Sequence, residues 1–238
     1  MNDIMIPKTI HYCWFGRNPL PKSAAKCIDS WRRFFPDYEI KEWNEDNFDV
    51  NIIPYTQQAY SAKKYAFVSD YARFWILYHY GGLYFDTDVE VIKPMDDIIE
   101  KGSFMGVEVA PTDKTGCQVN PGLGLGANQG LEIYKCLLDK YATLSFINDD
   151  GTLNQKTIVA HTTEVLEASG LQPVNHKQTV ADICVYPVDF FNPLDSVTRR
   201  IMITENTRSI HWYMNSWSDT SIIYKWLSKL YHRYLCRR

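Results

Sequence analysis

Along the first hundred residues the spacing of apolar positions changes several times, and each change marks an element. Thr9 to Phe15 is a short, mostly apolar run closed by Gly16-Arg17-Asn18-Pro19, which predicts a strand and a turn. From Lys22 to Phe35, behind Pro21, the residues Cys27, Ile28, Trp31, Phe34 and Phe35 recur at helical spacing, and Pro36-Asp37 stops the helix. Tyr38 to Trp43 alternates as a strand does and runs into the polar loop Asn44-Glu45-Asp46-Asn47. This β-α-β opening predicts an α/β fold with a parallel sheet covered by helices.

The next long segment, Ala66 to Tyr80, is apolar nearly all round, as a helix inside a protein is. Gly81-Gly82 ends it, and Leu83-Tyr84-Phe85 reads as a strand. Asp86 and Asp88 follow, two residues apart. In extended geometry their side chains point the same way, so both can reach one hard cation, or one takes the cation and the other a ligand hydroxyl. The carboxyl end of a buried strand is where open α/β sheets place ligands. Further strands are predicted at Ser103 to Glu108 and Leu123 to Ala127, with helices near Leu131 to Tyr141 and Thr157 to Ser169. The glycines of Asn120 to Gly126 bring backbone close to a ligand or to a neighbouring strand.

A chain of 238 residues has room for one large domain, which we place at 1–218. Residues 219–238 differ in character. Ile223, Trp226, Leu227, Leu230, Tyr231 and Tyr234 share one side of a helical pattern, and Lys225, Lys229, Arg233, Arg237 and Arg238 supply charge. Such a segment either lies on an anionic membrane or docks on the domain with a solvated basic face. A net charge of −3 argues against nucleic acid as a partner. Six cysteines without a CxxC pair or metal-ligand spacing fit a reducing compartment. With no export signal in the first residues and no apolar stretch of the ~18 residues a membrane span needs, the expected location is the cytoplasm, with 219–238 at the inner face of the membrane.

Asp70 and Arg73 are the charged residues of the Phe67 to Tyr78 stretch and share a helix face at i, i+3. They form either a structural ion pair or part of a cavity fed by the same helix that leads to Asp86 and Asp88. Trp14, at the end of the first strand, either packs in the core or stacks on a base. His211 reads alone as a core histidine. With a cation at Asp88 it would complete a mixed nitrogen and oxygen site that suits Mn²⁺ better than Ca²⁺.

Together, Ile6 to Gly16, Ser30-Trp31, Pro36 to Ile40, Ala66 to Arg73, Gly81-Gly82, Asp86-Thr87-Asp88 and His211 with Ser216-Trp217 resemble the DXD-motif glycosyltransferases of family 32. That family includes capsular-polysaccharide enzymes and yeast mannosyltransferases. The resemblance implies a GT-A fold with a mainly parallel central sheet flanked by helices. It implies a retaining sugar transferase using a UDP- or GDP-linked donor with Mn²⁺ or Mg²⁺, and a glycan or lipid-linked saccharide as acceptor. By the same resemblance Trp14 stacks on the base, Asp70 and Arg73 hold the donor sugar, and Asp86 contacts ribose or sugar. Asp86, Asp88 and His211 bind the metal, and Ser216 and Trp217 close over the diphosphate. Asn154, Gln155, His161 and Glu164 are candidates for the acceptor side. Two other readings compete: a DxD phosphatase of the haloacid dehalogenase type, and an inactive sugar-nucleotide-binding module.

Overall fold

A computed structural model describes residues 6–112, 116–195 and 198–214. The chain opens with β1 (Thr9–Cys13), α1 (Lys22–Phe34) and β2 (Glu39–Trp43), as the sequence pattern predicts to within two residues at each end. Next come α2 (Pro54–Ser61), α3 (Tyr65–Tyr80), β3 (Gly82–Tyr84), β4 (Val89–Val91) and α4 (Asp96–Ile99). The middle of the chain holds β5 (Phe104–Val109), β6 (Gln118–Val119), β7 (Leu125–Ala127) and α5 (Glu132–Ala142). The remaining elements are α6 (Ile158–Ala168), β8 (Gln178–Val180), β9 (Ile183–Tyr186), α7 (Val188–Phe191) and β10 (Ser209–His211). Residues 219–238, assigned from sequence to a basic helix, lie outside the described residues.

The main sheet has the order β2-β1-β3-β7-β5-β9-β8, with β6 paired to β5. β2, β1, β3, β5 and β9 run one way, and β6, β7 and β8 run against them. The sheet is therefore mainly parallel in direction, as expected. One apolar core lies between one face of the sheet and α2, α3, α5 and α6, and a second lies under α1, α4 and α7. β1, β3 and β7 are buried on both faces, which explains their continuous apolar runs, whereas the edge strand β2 is half-exposed. No helix among the described residues is long and apolar enough to cross a membrane.

Two features of the fold bear on the carboxylate pair. Gly81 closes α3 with φ 64° and Gly82 follows with φ 101°, so both use the left-handed region that glycine tolerates. A Cβ on Gly82 would also sit 2.6 Å from the Thr9 carbonyl oxygen, so this glycine lets β3 lie against β1. Secondly, α1 grips β4: Trp31 Nε1 donates to the Val89 carbonyl at 2.8 Å, and Ser30 Oγ accepts from Val91 N at 2.9 Å. The Ser30-Trp31 pair thus fixes the strand that begins directly after Asp88.

His11 ties the same region together from β1 and is 2% exposed. Trp43 Nε1 donates to its Nδ1 at 3.1 Å, so its Nε2 donates to the Gly81 carbonyl at 3.0 Å and the ring is neutral. Burial, partly opposed by the Gly81 bond, holds its pKa down at about 4. The unfolded chain therefore takes up this proton first as pH falls. The ring's contribution to stability is complete above the ordinary histidine value of 6.5 and is lost between 6.5 and about 4. In urea denaturation at pH 8 and pH 5, the stability gap between wild type and His11→Asn should shrink by about 2 kcal/mol at the lower pH. A gap independent of pH would contradict a buried neutral imidazole.

Candidate active site

β1, β3 and β5 point their carboxyl ends at one cavity of about 580 Å³. Its wall includes Trp14, Asp70, Arg73, Asp86, Asp88 and His211, so the described donor-side candidates from sequence meet in one place, while the acceptor-side candidates Asn154, Gln155, His161 and Glu164 lie outside it. Ser216 and Trp217 lie outside the described residues.

α3 supplies the first half of the site. Asp70 and Arg73 face the cavity from within the helix, and Arg73 Nη2 lies 2.9 Å from Asp70 Oδ1. Arg73 also reaches out of the helix, placing Nη1 3.2 Å from Asp86 Oδ2, and its guanidinium lies 4.9 Å from the centre of the Tyr84 ring. One guanidinium thus serves two carboxylates, and Tyr84 Oη donates to the second at 3.2 Å. Burial pushes the Asp70 carboxyl up to about 7 against the pull of Arg73. Burial opposes the charge on Arg73, but Asp86, Tyr84 and Asp70 together raise its pKa, so it stays a cation.

The second half is built on the turn after β3. Val89 N bonds back to the Asp86 carbonyl at 3.0 Å, so residues 86–88 are not extended. The expectation that both carboxylates share one direction is therefore corrected. Asp86 turns to Arg73 and Tyr84, while Asp88 turns to the C-terminal strand. There, β10 pairs antiparallel with β4 and sets His211 opposite Val89. His211 Nε2 comes within 3.1 Å of Asp88 Oδ1, and Met214 N donates to Asp88 Oδ2 at 2.9 Å. Burial opposes charge on both partners. Their mutual attraction overcomes it, aided by the Met214 bond, so Asp88 is held below the usual carboxylate range and His211 above the usual histidine value.

The glycine-rich segment has a definite neighbour. A Cβ on Gly122 would lie 2.2 Å from Asp86 Oδ2, so this glycine makes room for the carboxylate. Asn120 Oδ1 accepts from Gly122 N at 2.6 Å and holds that loop. Sequence reading missed the side chains of Glu108, Gln118, Asn120 and Thr157, which also line the cavity. Of the acceptor-side candidates, Glu164 borders a small neighbouring recess and pairs with Lys140 and Lys156 at 2.8 and 2.6 Å. His161 is buried against Tyr141, and Asn154 binds the Ser145 carbonyl; neither is part of the cavity wall.

Among the described residues, no three His, Cys, Asp or Glu side chains gather around a point that would hold a cation. The donor chemistry nevertheless suits a hard to borderline ion. Asp88 is ionised and adjacent to an imidazole whose Nδ1 is buried without a partner.

Residues 21–105 match a family profile described as the glycosyltransferase sugar-binding region containing the DXD motif. Over that stretch the chain is similar to this family's region, and the resemblance read from the motifs between Ser30 and Asp88 holds there. Inositol phosphoceramide mannosyltransferase 1 of Schizosaccharomyces pombe is 32% identical over 111 residues, covering 42% of this chain and 33% of that protein. Mannosyl phosphorylinositol ceramide synthase CSH1 of Saccharomyces cerevisiae is 30% identical over 109 residues, covering 42% of this chain and 28% of that protein. The match spans about a third of the length of these curated relatives. Among solved structures, PaToxG glycosyltransferase superposes with a TM-score of 0.49 at 20% identity, covering 69% of this chain and 70% of that one. A glycosyltransferase involved in glycosylating the major capsid of PBCV-1 gives 0.49 at 12% identity, covering 87% and 94%.

Proposed function

We propose that this protein transfers a sugar, with retention of anomeric configuration, from a nucleoside-diphosphate donor bound in the 580 Å³ cavity to a saccharide acceptor. The observation that carries the reading is the convergence of Asp70, Arg73, Asp86, Asp88 and His211 on one cavity at the carboxyl ends of β1 and β3. Trp14, at the end of β1, offers an aromatic face for the base. Asp70, with its carboxyl raised to about 7, and Arg73 offer acceptors and donors to sugar hydroxyls.

The charge balance argues for a cation. Arg73 is already shared by two carboxylates, and Asp88 adds a third close by. A diphosphate entering beside these carboxylates would be repelled by them unless a divalent ion came between. Asp88 and His211 would hold that ion, with Asp86 as the further ligand that the family resemblance implies. Bound there, Mn²⁺ or Mg²⁺ would neutralise charge developing on the departing diphosphate. The chain's own part is to fix the sugar through Asp70 and Arg73 and to shelter it from water, which favours transfer over hydrolysis.

Retention is what the family resemblance implies, and front-face attack is the form of it that needs no enzyme nucleophile. Asp70 and Asp86 are bound to Arg73, Asp88 to His211, and Glu108 to the Tyr213 hydroxyl. All four carboxylates already have partners, so no covalent nucleophile is assigned among them. The same bonds weigh against a phosphatase, whose nucleophile would be Asp86. A lipid-linked or glycan acceptor in surface polysaccharide synthesis fits a cytoplasmic protein whose basic 219–238 segment meets an anionic membrane. Incubating the protein with a panel of UDP- and GDP-sugars and Mn²⁺ should release nucleoside diphosphate slowly from one of them and stop when EDTA is added. Release from none, or release indifferent to EDTA, would overturn the proposal.

A further inference from the structure

We propose that Glu45 is a positioning residue for the base-binding end of the cavity, acting through the loop that carries Trp14; this rests on the reading of the cavity as a nucleotide-sugar site. Glu45 stands outside the cavity wall, whereas Trp14, Phe15 and Asn18 of the loop are part of it. Its Oε1 accepts from Gly16 N at 2.6 Å and from Tyr60 Oη at 2.9 Å, and its Oε2 is buried without a partner. A single oxygen thus joins the loop after β1 to the last turn of α2.

The tether continues into α3. The Tyr60 ring packs against Tyr65 with centroids 5.4 Å apart, and Tyr65 covers Gly16 so closely that a Cβ there would lie 2.4 Å from its ring. Gly16 has φ 96°, which glycine adopts without strain. Trp14 Nε1 donates to the Asn18 carbonyl at 2.7 Å, so the loop is closed on itself and moves as one piece.

Apart from Phe15, which is buried against Phe48 with ring centroids 5.7 Å apart, that piece has few anchors. Trp14 N bonds to the Trp43 carbonyl at 2.8 Å, where β1 ends. Arg17 pairs with Asp46 at 2.6 Å, but both side chains are more than 60% exposed and such a pair holds weakly. The bond from Gly16 to the Glu45 carboxylate is charge-assisted and shielded, and so fixes the loop on the far side of Phe15. Freed of it, the indole would have to be ordered by the incoming base, and affinity would fall without a change at the reacting carbon.

The test uses UDP and GDP as probes, titrated calorimetrically with Mn²⁺ present, together with kcat at saturating donor. Glu45→Asp keeps the charge but loses the reach to Gly16, while Glu45→Gln keeps the reach and loses the charge. Glu45→Asp and Glu45→Ala should weaken nucleotide binding about tenfold with kcat within about twofold of wild type, and Glu45→Gln should bind within about threefold of wild type. Wild-type affinity in a folded Glu45→Asp variant, or a loss confined to kcat, would overturn the proposal. Wild-type protein that binds neither nucleotide would overturn the donor-site reading beneath it.

Discussion

Asparagine in place of Asp88 is expected to lower metal-dependent turnover by about a thousandfold or more, the scale of a transition-state stabilisation of several kcal/mol. The substitution keeps the side chain's shape, and His211, left without its anion, can meet the loss by giving up its proton. The amide oxygen can still accept from Met214 N, and the backbone bond from Trp212 N to the residue 88 carbonyl, 3.0 Å in the native chain, is unaffected. What it removes is the negative charge that faces His211 at 3.1 Å and would face the cation. Thermal unfolding followed beside nucleotide-sugar hydrolysis separates the two effects: the melting temperature should change little while turnover collapses. Full turnover in a folded Asp88→Asn protein would remove Asp88 from the chemistry.

The second large effect belongs to Arg73. Methionine there keeps most of the side-chain volume but leaves the Asp70 and Asp86 carboxylates, 11% and 29% exposed, without their cation. Breaking a buried pair by removing one partner costs about 3–5 kcal/mol, and part of this is recovered if the stranded acid protonates. Arg73→Met should therefore lower stability by an amount in that range and also lose donor binding. Adding Asp70→Asn should restore part of the stability, because the buried charge is gone, while activity stays lost. Urea denaturation of the single and double variants checks the first part, and nucleotide-sugar hydrolysis the second. Equal stability of Arg73→Met and wild type would show that the guanidinium does not neutralise the two acids. Lysine is a poor substitute, since one ammonium cannot present the planar fork that spans both carboxylates.

The half of the site on α3 was legible in the sequence because helical spacing fixes direction. Asp70 and Arg73 at i, i+3 share a face whatever packs around them, and a helix apolar on its other sides leaves them few places to point. The glycine pair that ends α3 was equally plain. Asp86 and Asp88 were read as a strand pair, and the turn closed by Val89 N sends them to different partners. No residue of the motif itself announces that turn. His211 owes its place to a three-residue pairing of β10 with β4, far apart in sequence and too short to show alternation. The same shortness hid β8, and α2 carries too broken an apolar pattern to mark itself as a helix. Gly122 illustrates a different limit: its glycine is visible, but only the fold reveals that the close neighbour is Asp86. Backbone partners such as Met214 N leave no trace in residue identity at all.

The central claim is that Asp88 and His211 form the cation half of a nucleoside-diphosphate site. Calorimetric titration of UDP and GDP into the protein, with Mn²⁺ and again with EDTA, tests it most directly. The account predicts saturable binding of one nucleotide with Mn²⁺, weakened at least about tenfold by EDTA and, with Mn²⁺ present, by Asp88→Asn. Binding of equal strength with and without metal, in wild type and variant alike, would contradict it.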